Sequence, residues 1–152
     1  INNKSKIGYI CGDNISYEVV EHAPVHTSAD AAKVRDTDLA QGAKALVMIG
    51  DKEPYLFVVP ADQRADFRKI KAAVGIKDLR MASPDEVEDL TTLKVGSIPP
   101  VGKAIGLTSF FDTSFSEKEN VVFNAGSLTT SIIMKASDLL ALEQPQVEDI
   151  VA

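Results

Sequence analysis

Two apolar runs, AKALVMIG from Ala43 to Gly50 and YLFVVP from Tyr55 to Pro60, are separated only by the turn-forming stretch Asp51 to Pro54. Short apolar segments bounded in this way predict a β-hairpin or adjacent strands, so a sheet is the element around which the rest must pack. Ala61 to Val74 then carries helical periodicity and stops at Gly75, a natural C-cap. A short strand, LRMA, is expected near Leu79. Ser83-Pro84-Asp85-Glu86 combines a capping serine, a proline suited to the first helical position and a glutamate that closes a capping box, which predicts a helix to about Leu90. A weaker helix start lies at Thr27 or Ser28, before Ala29 to Val34, with Asp30 placed to complement the helix dipole. NVVFNAG and SIIMKA read as strands, and Ser137-Asp138 starts a short helix, DLLAL. The acidic tail from Glu143 to Ala152 is weakly patterned and is assigned no element.

Helices and strands interleave without a regular βαβ repeat, and no internal repeat, low-complexity tract or linker divides the chain. Its 152 residues are expected to form a single α+β domain over 1–152, a mixed, mostly antiparallel sheet or barrel surrounded by short helices. No run approaches the ~18 apolar residues of a membrane helix, and INNKSKIGYICGDN has no signal-peptide core. The expectation is a cytoplasmic protein with no membrane partner. The chain opens without a methionine, which leaves a longer polypeptide, including fusion to a synthetase, open.

A net charge of −6 has the wrong sign for gripping long stretches of nucleic acid through phosphate neutralisation. DNA is therefore not an expected partner, and any RNA contact should be small and local. If Ala61 to Val74 is helical, Arg64, Arg68 and Lys71 fall on one face and offer such a patch; the alternative is a solvated helix face. Cys11 has no second thiol to pair with. His22 and His26, the only histidines, are separated by Pro24, which argues against a zinc-binding helical pair, so no metal is expected. Dinucleotide and phosphate-loop motifs are absent, as is a nucleophile-elbow serine, so no cofactor and no triad are expected. What remains is Lys44, just inside an apolar strand, and the proline-rich turn Gly96-Ser97-Ile98-Pro99-Pro100-Val101-Gly102. Each alone is ambiguous, because strand lysines often snorkel and Gly-Pro turns are often mere connections.

In order, the chain presents the His22 and Thr27 segment, GAKALVM with Lys44, VVPADQRADFRKIKAAVG, ASPDEVEDLT, VGSIPPVG, a segment bearing Asp112, and FNAGS. Across roughly Tyr17 to Leu142 this resembles the YbaK/prolyl-tRNA synthetase-associated family of editing domains, most of all its free-standing branch. The resemblance implies an aminoacyl-tRNA deacylase in which Lys44 and the loop Gly96, Ser97, Ile98, Pro99 and Pro100 receive the aminoacyl ester at the tRNA acceptor end. Backbone N–H groups of a glycine-containing loop can approach a developing oxyanion unobstructed, and one preorganised donor is worth roughly 3 kcal/mol. Lys44 would act by charge on the terminal phosphate or the ester. The resemblance further implies that the ribose hydroxyl beside the ester assists the attacking water, which accounts for the missing triad.

Asp112 and Asn124 are candidates to orient substrate groups, and Gly126 and Ser127 to allow close backbone approach; all four also suit plain strand-end geometry. Several family members carry histidine where Ser131 stands here. A serine hydroxyl can bond a polar side chain, which makes a seryl or threonyl ester an alternative to an alanyl one. A shallow pocket bounded by Val47, Ile98 and Ser131 would exclude large side chains. The competing readings are a degenerate module that binds tRNA, a synthetase or an elongation factor without hydrolysis, and an esterase for some other small ester.

Overall fold

The computed structural model describes residues 17–21 and 41–152. The expected helix after Thr27 or Ser28, together with Cys11, His22 and His26, lies outside the described residues. Strands β1 (Tyr17–Glu21), β2 (Ala43–Gly50), β3 (Glu53–Pro60), β4 (Leu79–Met81), β5 (Thr108–Asp112), β6 (Asn120–Asn124), β7 (Thr130–Lys135) and β8 (Gln146–Glu148) form two sheets. One runs β1-β7-β6 and the other β4-β2-β3-β5-β8. The β3–β5 and β5–β8 pairs are parallel and the other ladders antiparallel. Sheet is therefore right and a closed barrel is not: β4 and β8 are free edges of the larger sheet, which an isolated bridge between Gly42 and Val122 joins to the smaller one.

The expected hairpin forms in register from Ala43 opposite Pro60 to Gly50 opposite Glu53, turning through Asp51 and Lys52, both at positive φ. Odd-numbered β2 residues join a core with Leu56, Val58, Phe111, Phe123 and Ile132, between the two sheets. On the other side of the larger sheet, Met48, Phe57, Val59 and Phe110 pack with Ile70, and the Phe57 and Phe110 rings stack 5.3 Å apart. Full burial of such side chains contributes roughly 1.5–3 kcal/mol each, so both faces of β3 are committed to the core.

Ile70 belongs to α1 (Phe67–Val74), which begins later than the sequence suggests. Asp66 accepts hydrogen bonds from the backbone of Arg68 and Lys69 and sets the N-cap, while Ala65 just before it bridges Val151. A turn from Pro60 to Gln63 and then this bridge thus take up the residues ahead of Asp66, which do not wind into the helix. At the other end Gly75 caps in the left-handed conformation, as expected. Helix α2 (Pro84–Thr91) has the complete reciprocal capping box between Ser83 and Glu86. A four-residue helix, α3 (Gly102–Ile105), follows the proline-rich loop, and α4 (Ala136–Glu143) follows β7 directly.

Several elements went unread, among them β1, α3, β5 and β8. Strand β5, TSFFD, and the short β8 in the tail pair in parallel; β5 shows no two-residue alternation because it is almost wholly buried, and β8 is only three residues long. No helix among the described residues is long and apolar enough to cross a membrane.

Candidate active site

Strand parity decides which expected residues can meet. Paired residues project to the same side of a sheet, and side chains alternate with period two. Asn124 stands opposite Ser131 in the β6–β7 ladder. Gly42 pairs with Val122, so stepping by two from each places Lys44 on the side of Asn124 and Ser131. Val47 has the opposite parity and, with Ile98, lies in the core between the sheets. A single wall of Val47, Ile98 and Ser131 therefore does not form: two of the three are core residues facing away from the third.

The proline-rich loop is fixed at its entry. Ser97 donates twice to the Lys94 carbonyl, through its backbone N–H at 3.0 Å and its hydroxyl at 2.7 Å, so that hydroxyl serves the turn. Gly96 takes φ 89°, a left-handed conformation natural to glycine, and its carbonyl accepts from the Asn124 carboxamide. Ser97, Ile98, Pro99 and Pro100 are buried while Gly96 is exposed. Pro99 and Pro100 have no N–H, and among the described residues no acceptor takes the N–H of Gly96 or Ile98. Of the loop from Gly96 to Pro100, what reaches the surface is thus its glycine end.

The hairpin tip between β6 and β7 lies over this end. Gly126 takes φ 81°, Thr129 donates from its backbone to the Ser127 hydroxyl at 3.0 Å, and Leu128 comes within 3.6 Å of where a Gly96 Cβ would stand. Gly126 and Ser127 thus shape a turn that borders the loop. Lys44 is half-buried and its ammonium donates to the Gln63 carbonyl at 3.4 Å, a long contact that leaves the charge without a carboxylate partner among the described residues.

Asp112 is placed elsewhere. It is 1% exposed and caps the 3-10 turn Thr113–Glu117, accepting from the Ser114 backbone at 3.1 Å and hydroxyl at 2.5 Å. Its other oxygen accepts from Ile150 N–H at 3.1 Å, so one oxygen caps the turn and the other ties β5 to the C-terminal segment. The basic patch also differs from expectation. Arg64 precedes the Asp66 cap and is not helical, so it shares no helical face with Arg68 and Lys71, and the neighbouring Lys69 is neutralised by Asp149 at 3.2 Å.

Sequence reasoning missed Glu143. The last residue of α4, it is 3% exposed, and its carboxylate accepts from Gly102 N–H at 2.6 Å, Ser109 hydroxyl at 2.6 Å and Lys103 N–H at 3.2 Å. One signal was available: an acidic residue closing an apolar helix opposes the helix dipole and asks for a partner. An open cleft of about 780 Å³ among the described residues, by contrast, lies by the β2–β3 turn around Asp51, Lys71, Arg80 and Glu86. Its carboxylates Asp51 and Glu86 are taken up by the Lys77 and Asp78 backbone and by Arg80, and of the expected residues it includes Lys71 alone.

Comparison with known proteins points one way. The family model described as the aminoacyl-tRNA editing domain matches residues 22–142. The multifunctional Ser/Thr-tRNA deacylase ProXp-y of Escherichia coli K12 is 32% identical over 151 residues, covering 96% of this chain and 90% of that protein. The prolyl-tRNA editing protein ProX of Acetoanaerobium sticklandii is 24% identical, covering 82% and 80%. A crystal structure described as a candidate trans-editing enzyme for prolyl-tRNA synthetase superposes with a TM-score of 0.87 at 29% identity, covering 100% of this chain and 98% of that one.

Proposed function

The chain belongs to the aminoacyl-tRNA editing domain family, and from that premise we propose that it is a metal-independent trans-editing deacylase that clears serine or threonine, before alanine, from mischarged tRNA. The observation that carries this reading is the bond from Asn124 to the Gly96 carbonyl. It holds the glycine end of the loop, whose Gly96 N–H has no acceptor among the described residues, against the end of β6, on the sheet face to which strand parity also assigns Lys44 and Ser131.

In the reaction, water attacks the carbonyl of the ester that joins the amino acid to the terminal ribose. Negative charge gathers on the carbonyl oxygen, where the loop donors need no reorganisation to meet it. The neighbouring ribose hydroxyl takes part in moving the water's proton to the departing ribose oxygen, so no protein base is required. The tetrahedral species then collapses to free amino acid and a tRNA ending in both hydroxyls. Lys44 holds the terminal phosphate or ester by charge. Ser131 pairs with Asn124 on this face, and a site that hydrogen-bonds a substrate hydroxyl discriminates more strongly than one that measures a methyl group. Serine or threonine therefore ranks above alanine, in keeping with what the name of the Escherichia coli relative says of that protein.

The test is a deacylation panel. Purified protein is incubated with tRNA charged with serine, threonine, alanine or proline, beside Lys44→Ala. Release of serine or threonine, cut at least about tenfold in the variant, supports the reading. Unchanged turnover in Lys44→Ala removes Lys44 from the mechanism, and tRNA binding with no hydrolysis across the panel replaces the enzyme with a binding module of the same fold. Hydrolysis of free aminoacyl esters as fast as of aminoacyl-tRNA points to a general esterase.

A further inference from the structure

We propose that Glu143 is a positioning residue for the ester-binding loop, acting through Gly102; the inference rests on the deacylase reading and deepens it. The loop is pinned at its entry by Asn124, but a rigid span needs a second anchor. At its exit, Val101 supplies no side-chain cap to α3, and the first two amides of that helix, Gly102 and Lys103, are taken instead by the Glu143 carboxylate from 41 and 40 residues away. One carboxylate thus sits badly at the end of its own helix and well at the start of another.

The approach is built for this contact. A Cβ at Gly102 would stand 2.1 Å from the Leu107 carbonyl oxygen and 3.0 Å from Glu143 Oε2, so only glycine lets the backbone lie so close. Ser109 on β5 donates to the same Glu143 oxygen at 2.6 Å, referring the anchor to the larger sheet. The nearby cation does not compete, because Lys103 Nζ donates to the Leu142 carbonyl at 3.2 Å. Between the anchors stand Pro99 and Pro100, whose fixed φ passes displacement along the chain rather than absorbing it. A shift of Gly102 is therefore felt at Ile98 and Gly96, where the donors must meet a developing charge.

Glu143→Gln and Ser109→Ala test this. Glutamine keeps the shape but turns an amide toward donors; alanine removes one donor and leaves the carboxylate. Three measurements are made on each: kcat and KM on tRNA charged with serine, deuterium uptake of the peptide spanning residues 96–103, and thermal midpoint. The expected result for Glu143→Gln is a kcat lower by about tenfold with KM within about twofold, and faster uptake across the loop; Ser109→Ala moves the same way by less. A folded Glu143→Gln with unchanged kcat overturns the proposal, and if that variant does not fold, unchanged kcat in Ser109→Ala does so. Should the wild type hydrolyse no mischarged tRNA, the deacylase reading fails separately, and uptake alone decides whether Glu143 holds the loop: faster supports it, unchanged overturns it.

Discussion

The carboxamide nitrogen of Asn124, the last residue of β6, donates to the carbonyl oxygen of Gly96 across 28 residues of chain. This contact holds the Gly96 carbonyl against the end of β6, while the Gly96 N–H, which belongs to the preceding peptide unit with Val95, has no acceptor among the described residues. Asn124→Asp puts an acceptor where a donor is needed, so the two oxygens repel and the loop's entry shifts. Deacylation by Asn124→Asp is expected to fall by about tenfold or more, and Asn124→Ala to fall by less because it removes the bond without repulsion. Steady-state kinetics on serine-charged tRNA check this, and equal rates for all three proteins would dismiss the contact.

The hairpin, the α2 capping box and the Gly75 stop were legible because each depends on neighbours in sequence. The Gly96 to Pro100 loop was legible as a candidate through its composition and the family resemblance, but what fixes it was not. Asn124 and Glu143 act from 28 and 41 residues away, and no local pattern encodes such a pairing. Asp112 shows the converse: the family resemblance makes it a candidate to orient substrate groups, yet its oxygens are spent on Ser114 and Ile150. Arg64 was misassigned because helical periodicity says nothing about an Asp66 cap or a bridge to Val151.

Ser131 sits opposite Asn124 in the β6–β7 ladder. If its hydroxyl recognises that of the substrate, Ser131→Ala leaves a buried substrate hydroxyl unmatched, which costs about 1–3 kcal/mol. The ratio of serine to alanine removal, measured on the same tRNA, is expected to fall by about tenfold or more, while alanine removal itself changes little. An unchanged ratio would place side-chain recognition elsewhere.

Gly102 opens the short helix α3 and Gly106 caps its end, and the two make opposite demands. At Gly106 the backbone is left-handed at φ 74° with open space around a built Cβ; at Gly102 the obstacle is the Leu107 carbonyl at 2.1 Å. Gly106→Ala is expected to lose about 1–2 kcal/mol through conformation alone. Gly102→Ala must move backbone and is expected to lose more than about 3 kcal/mol. Urea unfolding of the two variants checks the order, which reverses if α3 can slide without cost.

Glu86 ties stability to pH at a site remote from the loop. Its carboxyl is lowered from 4.5 to about 2, first by the paired hydrogen bonds of the Arg80 guanidinium at 2.6 and 2.8 Å, then by the Ser83 backbone N–H at 2.9 Å. Because the folded value lies below the unfolded one, the contribution is fully present above about pH 4.5 and is lost as pH falls through about 2. Glu86→Gln keeps an acceptor for the capping box but removes the charge. The wild type is therefore expected to melt higher than Glu86→Gln near pH 6, with a gap that closes between about pH 4.5 and 2 and narrows in about 1 M salt, since the pair is exposed. Melting curves of both proteins across that range decide it; a gap independent of pH would mean the charge on Glu86 adds nothing to the fold.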